Sequence, residues 1–123
     1  MKIVEFKKTG GVVRAQISSG YAQQGSYALL LWEVNQNKLV PGFPKYGNFI
    51  NTDDDIYDLL TNAQNDGRIV ECITTVTLTP PIKSYDIDLE IWQDNKRIGF
   101  ETSAGQSDAP SVTVDLFVQL KAV

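Results

Sequence analysis

The sequence predicts an all-β fold: a two-sheet antiparallel β-sandwich of about eight strands in one domain spanning residues 1–123, with one short helix in the crossover near residues 52–64. Three observations carry this expectation. Turn-forming residues recur every ten positions or so, between short runs rich in β-branched and aromatic side chains. Several of those runs alternate apolar and polar residues with the period of a half-buried strand. At 123 residues the chain is long enough for one core and needs no covalent staple.

Taken in order, MKIVEFKK alternates from the start, which reads as a first strand over 2–7 and not as the apolar run of a signal peptide. A cytoplasmic location is the resulting expectation. After the turn TGG, residues 12–18 (VVRAQIS) form the second candidate strand. The loop GYAQQG that follows lacks the lysine and the helix of a phosphate loop. Residues 26–34 (SYALLLWEV) and 68–78 (RIVECITTVTL) are apolar on both faces, so both are expected centrally in their sheets. A short strand is expected at 38–41.

The hairpin 84–93 and 96–102 turns at Asp94-Asn95, two residues that tolerate positive φ. A two-residue turn would set Ile91 against Ile98, Leu89 against Phe100, Asp88 against Glu101, and Trp92 against Arg97 as a cation–π pair. The last strand, 111–121, places Val112, Val114, Leu116, Val118 and Leu120 on one face, with Phe117 on the polar side. The architecture is immunoglobulin-like, but the Cys…Trp…Cys framework of antibody domains is missing.

Residues 41–55, PGFPKYGNFINTDDD, are the best site candidate. Thr52-Asp53-Asp54-Asp55 has the form of an acidic helix cap, followed by an apolar stripe of Ile56, Leu59, Leu60 and Ala63 and closed by Asn65-Asp66-Gly67. The competing reading is a calcium site using Asn51, Asp53 and Asp55, with Asn48 nearby, although the glycine-containing loop of the common calcium motif is absent. Phe43, Tyr46 and Phe49 either plug one end of the sandwich or form an exposed platform for a sugar ring or a protein partner. Asp86, Asp88 and Glu90 alternate on one strand face and read as a solvated surface. Cys72 falls on an apolar face and reads as a core thiol.

Composition narrows the chemistry. The chain has no histidine, which removes histidine-based nucleophilic triads and the usual catalytic zinc sites. Its net charge of −4 and the lack of a basic cluster argue against nucleic acid and anionic membranes as partners. A lone cysteine allows no internal disulfide. No catalytic constellation emerges and no cofactor is called for, calcium being the one ion the acids could take. The functional expectation is a non-catalytic interaction module that binds a protein partner or itself through Phe43, Tyr46 and Phe49, or through the Trp92 and Arg97 face. A carbohydrate or small-ligand binder, perhaps calcium-assisted, is the alternative.

Overall fold

A computed structural model of the chain describes residues 1–49 and 55–123. The described residues form nine strands: β1 (Lys2–Phe6), β2 (Arg14–Ser19), β3 (Gly25–Trp32), β4 (Lys45–Asn48), β5 (Ile56–Asp58), β6 (Ile69–Thr77), β7 (Ser84–Gln93), β8 (Lys96–Gln106) and β9 (Ser111–Ala122). Five form one sheet in the order β1-β9-β6-β3-β4, and four form the other in the order β5-β2-β7-β8. Every pair is antiparallel except β1 with β9, which runs parallel.

The two sheets close on one shared core because their strands present apolar side chains on the inner face. Phe6, Leu29 and Leu120 meet Ile17, Leu89 and Ile91 there, all at 2 % exposure or less. Each such burial contributes about 1.5–3 kcal/mol. The alternation expected for the last strand is what the structure shows: Val114, Leu116, Val118 and Leu120 are buried, and the residues between them face outward. As expected, β3 and β6 lie inside their sheet, and Cys72 is a fully buried free thiol.

Three expectations are corrected. Among the described residues the 52–64 crossover holds no α-helix; residues 56–58 are strand β5, and only Asn62–Gln64 make a 3₁₀ turn. Strand pairing overrides helical periodicity here. Ile56, Tyr57 and Asp58 complete the edge beside β2, while Leu60 takes φ of 63°, which no helix tolerates. The proposed cap residue Thr52 lies outside the described residues. No strand spans 38–41 either. A 3₁₀ turn at Val34–Gln36 leads to a single bridge between Trp32 and Leu39, and the next strand is β4.

The third correction is the hairpin register. Asp94 and Asn95 do take positive φ, and Trp92 does pair with Arg97. A bulge between Ile91 and Trp92 then inserts one residue, so Ile91 faces Gly99, Leu89 faces Glu101, and Asp88 faces Thr102. Gly99 is packed so closely on Val4 that a Cβ would sit 2.6 Å from its Cγ2. The bulge therefore lets a residue without a side chain pass under β1, and it turns Phe100 outward.

Residues 7–13 cross between the sheets with no strand partner, and side chains meet their backbone polar groups instead. Gln93, 4 % exposed, accepts from Lys7 N–H at 2.9 Å and donates to Lys7 C=O at 2.7 Å and Gly11 C=O at 2.9 Å. Asn62 donates to the carbonyls of Gly10 and Gly11 and accepts from Val13 N–H. Buried backbone groups left unpaired would each cost about 1–3 kcal/mol.

Candidate functional site

The aromatic residues of 41–55 separate. Phe43 is 9 % exposed and joins the core, with Lys45 Nζ 5.7 Å from its ring centre. Phe49 is half-buried against Tyr27, ring centres 5.6 Å apart, in space left by Gly25. Tyr46 alone is a free surface ring of this trio, 75 % exposed on edge strand β4. Its described residues 41–49 hold strand β4 and the turn before it.

Asp55 is engaged inside the protein. The Tyr27 hydroxyl donates to its carboxylate, and the hydroxyls of Tyr27 and Tyr57 lie 2.6 Å apart. Burial, followed by the hydrogen bonds to Asp55 and Tyr57, raises the Tyr27 pKa far above its usual value, so Tyr27 is a permanent donor and not a base. Asn51 and Asp53 lie outside the described residues. Among the described residues, no three acidic or thiol side chains gather as a metal would require.

Trp92 and Arg97 stand on the outer face of the four-stranded sheet. There Arg97 stacks on Phe100, 4.4 Å from the ring centre, and donates to Glu90 at 3.1 Å. The bulge that moved Phe100 outward thus supplies a ring partner other than Trp92. A groove of about 430 Å³ runs beside Trp92, lined by Gly11, Arg14, Gln16, Ile56 and Asp94. Arg14 is paired with Asp58 at 2.8 Å, an exposed pair worth about 1 kcal/mol or less. Asp88, Glu90 and Thr102 continue this face in neighbouring registers, so it is polar and laced with charge.

The outer face of the five-stranded sheet is chemically different. Residues between the buried positions of β3, β6 and β9 line up across the strands in rows. Leu30, Glu71 and Phe117 make one row; Ala28, Ile73 and Asp115 make the next, extended by Tyr46 of β4. Trp32, Ile69 and Gln119, with Ile3 of β1, make a third. The result is a largely apolar block that holds two acids, Glu71 and Asp115.

Glu71 is 6 % exposed and accepts from the Trp32 indole N–H at 2.9 Å. Burial, and then its hydrogen bond to Asp115, push its pKa up to about 7, against the opposing pull of the Trp32 bond.

The sequence contained the signal for this face. Strands 26–34 and 68–78 were read as apolar on both sides and therefore central, which they are. Central position covers a strand's edges but not its outer face, where Ile69 and Glu71 are buried, Leu30, Trp32, Ile73 and Phe117 are part-buried, and Ile3 and Tyr46 are exposed. No helix among the described residues is long and apolar enough to cross a membrane. Comparisons with family models, with curated protein sequences and with solved structures find no match.

Proposed function

We propose that the chain is a non-catalytic interaction module that docks a protein partner, or a second copy, on the outer face of its five-stranded sheet. The observation that supports this reading is the contrast between the two outer faces. One sheet turns charge to solvent, whereas the other turns Leu30, Trp32, Ile73, Phe117 and Tyr46 outward. Contiguous apolar surface of this kind, rich in aromatic rings, marks interaction sites on soluble proteins.

Glu71 is the group a catalytic reading would use. It lies on a flat sheet face at 6 % exposure and its visible partners are Trp32 and Asp115, which favours a structural or docking role. A cytoplasmic location belongs to the same proposal, supported by a chain whose one cysteine is a buried free thiol. The Trp92 groove supports a second reading, a small ring-shaped ligand such as a sugar, because its volume and its mixture of indole and polar side chains suit one.

The test is a photo-crosslinking residue at Ile73, compared with the same residue at Asp88 on the polar outer face. Adducts of a partner or of a second copy from position 73 and not from 88 are expected. No adduct from 73, or equal adducts from both, would overturn the proposal.

A further inference from the structure

We propose that an extended, lysine- or arginine-bearing segment of a protein partner adds as a strand in the slot between the free edges of β8 and β9. The slot shares Asp115 and Phe117 with the outer sheet face, but strand addition at the edge does not require docking on that face.

The slot exists because the strands have unequal lengths. β9 spans Ser111–Ala122, but β1 covers it only from Val118 onward, so among the described residues the edge over 111–117 has no neighbouring strand. Hydrogen-bond parity identifies the groups left over. Leu120 donates to Arg68 C=O and accepts from Gly67 N–H, so the even-numbered residues of β9 address β6. Val123 N–H bonds to Phe6 C=O, so the odd-numbered ones address the β1 side. Before β1 begins, the N–H and C=O groups of Thr113 and Asp115 therefore point to an empty edge.

β8 is the matching edge of the other sheet, paired only with β7. Ser107 N–H bonds to Lys83 C=O, which directs the odd-numbered residues of β8 inward to β7 and the even-numbered ones outward. Thr102 N–H confirms the parity, since its acceptor is the Glu101 side chain at 3.3 Å and not β7. Unpaired edges of this kind are templates for an incoming strand.

The geometry also says where the strand fits. At Gly99 the sandwich side is shut, because that residue packs directly on Val4. Beyond it the side opens into a groove of about 470 Å³, with Glu101, Thr102 and Ser103 on one wall, Asp115, Leu116 and Phe117 on the other, and Met1 and Gln36 completing its lining. The two walls carry carboxylates and neither contributes a lysine or arginine, so basic side chains suit one register of an added strand and apolar ones the alternate register. A second copy is a poor occupant. Pairing β9 with β9 would bring two Asp115 side chains together in chains that each carry a net −4 charge.

The experiment uses three short capped peptides: alternating lysine and valine, alternating glutamate and valine, and the lysine form N-methylated at every second residue. Amide chemical shifts and calorimetry read the outcome. The lysine peptide should saturate, with shifts centred on Thr113, Asp115, Thr102 and Ala104, and Glu101→Gln should weaken it about fivefold, the scale of one exposed charge pair. The N-methylated and acidic peptides should not bind. Failure of the lysine peptide to bind, equal binding by the acidic peptide, or undiminished binding after N-methylation would overturn the proposal.

Discussion

The two long sides of the sandwich differ in how they are finished. On one, the chain crosses from β4 to β5, and Tyr27, Asp55 and Tyr57 join the sheets through their hydroxyls and carboxylate, with Phe49 packed over them. Gly47 permits this, since a Cβ there would collide with the Tyr27 hydroxyl. On the other side β1 stops short, and β8 and β9 face each other across a groove. A sandwich always has two sides to close. This one closes the first with buried polar contacts and leaves the second available.

The largest expected effect tests the open side from within. Ser103→Pro removes an N–H that addresses β7 opposite Ile87 and should cost about 3 kcal/mol or more. Ala104→Pro, one residue on, removes an N–H that points to solvent and should cost about 1 kcal/mol or less. Urea unfolding of the two variants decides it; similar costs would mean that the β8 edge is not free as described.

Tyr27→Phe breaks the closed side. It takes the donor from Asp55 and the partner from Tyr57, so a loss of about 1–3 kcal/mol is expected in the same unfolding measurement. A variant as stable as the parent would remove the hydroxyl cluster as the closing device.

An effect that appears only above pH 4 asks what charge costs on the outer face of β6. Glu71 has a folded pKa of about 7 against 4.5 for the free side chain, so between those values the folded state holds more protons than the unfolded one. Stability therefore falls as pH rises from about 4.5 to 7. Glu71→Gln removes that penalty while keeping an acceptor for Trp32. It should match the parent near pH 4 and exceed it by about 1–3 kcal/mol at pH 8. A constant difference across that range would show that Glu71 titrates normally.

Much of the fold was legible because alternation is a physical requirement of a half-buried strand, as in 111–121, and because Asp94-Asn95 can adopt positive φ. The helix over 52–64 failed where two signals conflicted. Ile56, Leu59, Leu60 and Ala63 have helical spacing, but the edge of β2 offers Ile56–Asp58 a ladder, and Leu59 reaches the core without a helix. The register beyond Trp92 failed because a bulge leaves no mark except a glycine, here Gly99, whose need for close approach to Val4 appears only in three dimensions. The ring cluster of 41–55 misled for a similar reason. Its composition resembles a site, yet two of its three rings are packed inward and only Tyr46 adds to a surface. The apolar outer face was written in strands 26–34 and 68–78, but two-faced hydrophobicity reads the same whether the second face is covered or offered.

Gln93 concentrates several attachments of the N-terminal crossover on one side chain. One side chain holds both backbone groups of Lys7 and the carbonyl of Gly11, so a single rotation of that amide releases three attachments at once. A frayed strand loses its bonds one by one from the tip. Here three backbone attachments of the crossover hang on one amide, while β1 beside it is held by its own ladder to β9 and by the buried Val4 and Phe6.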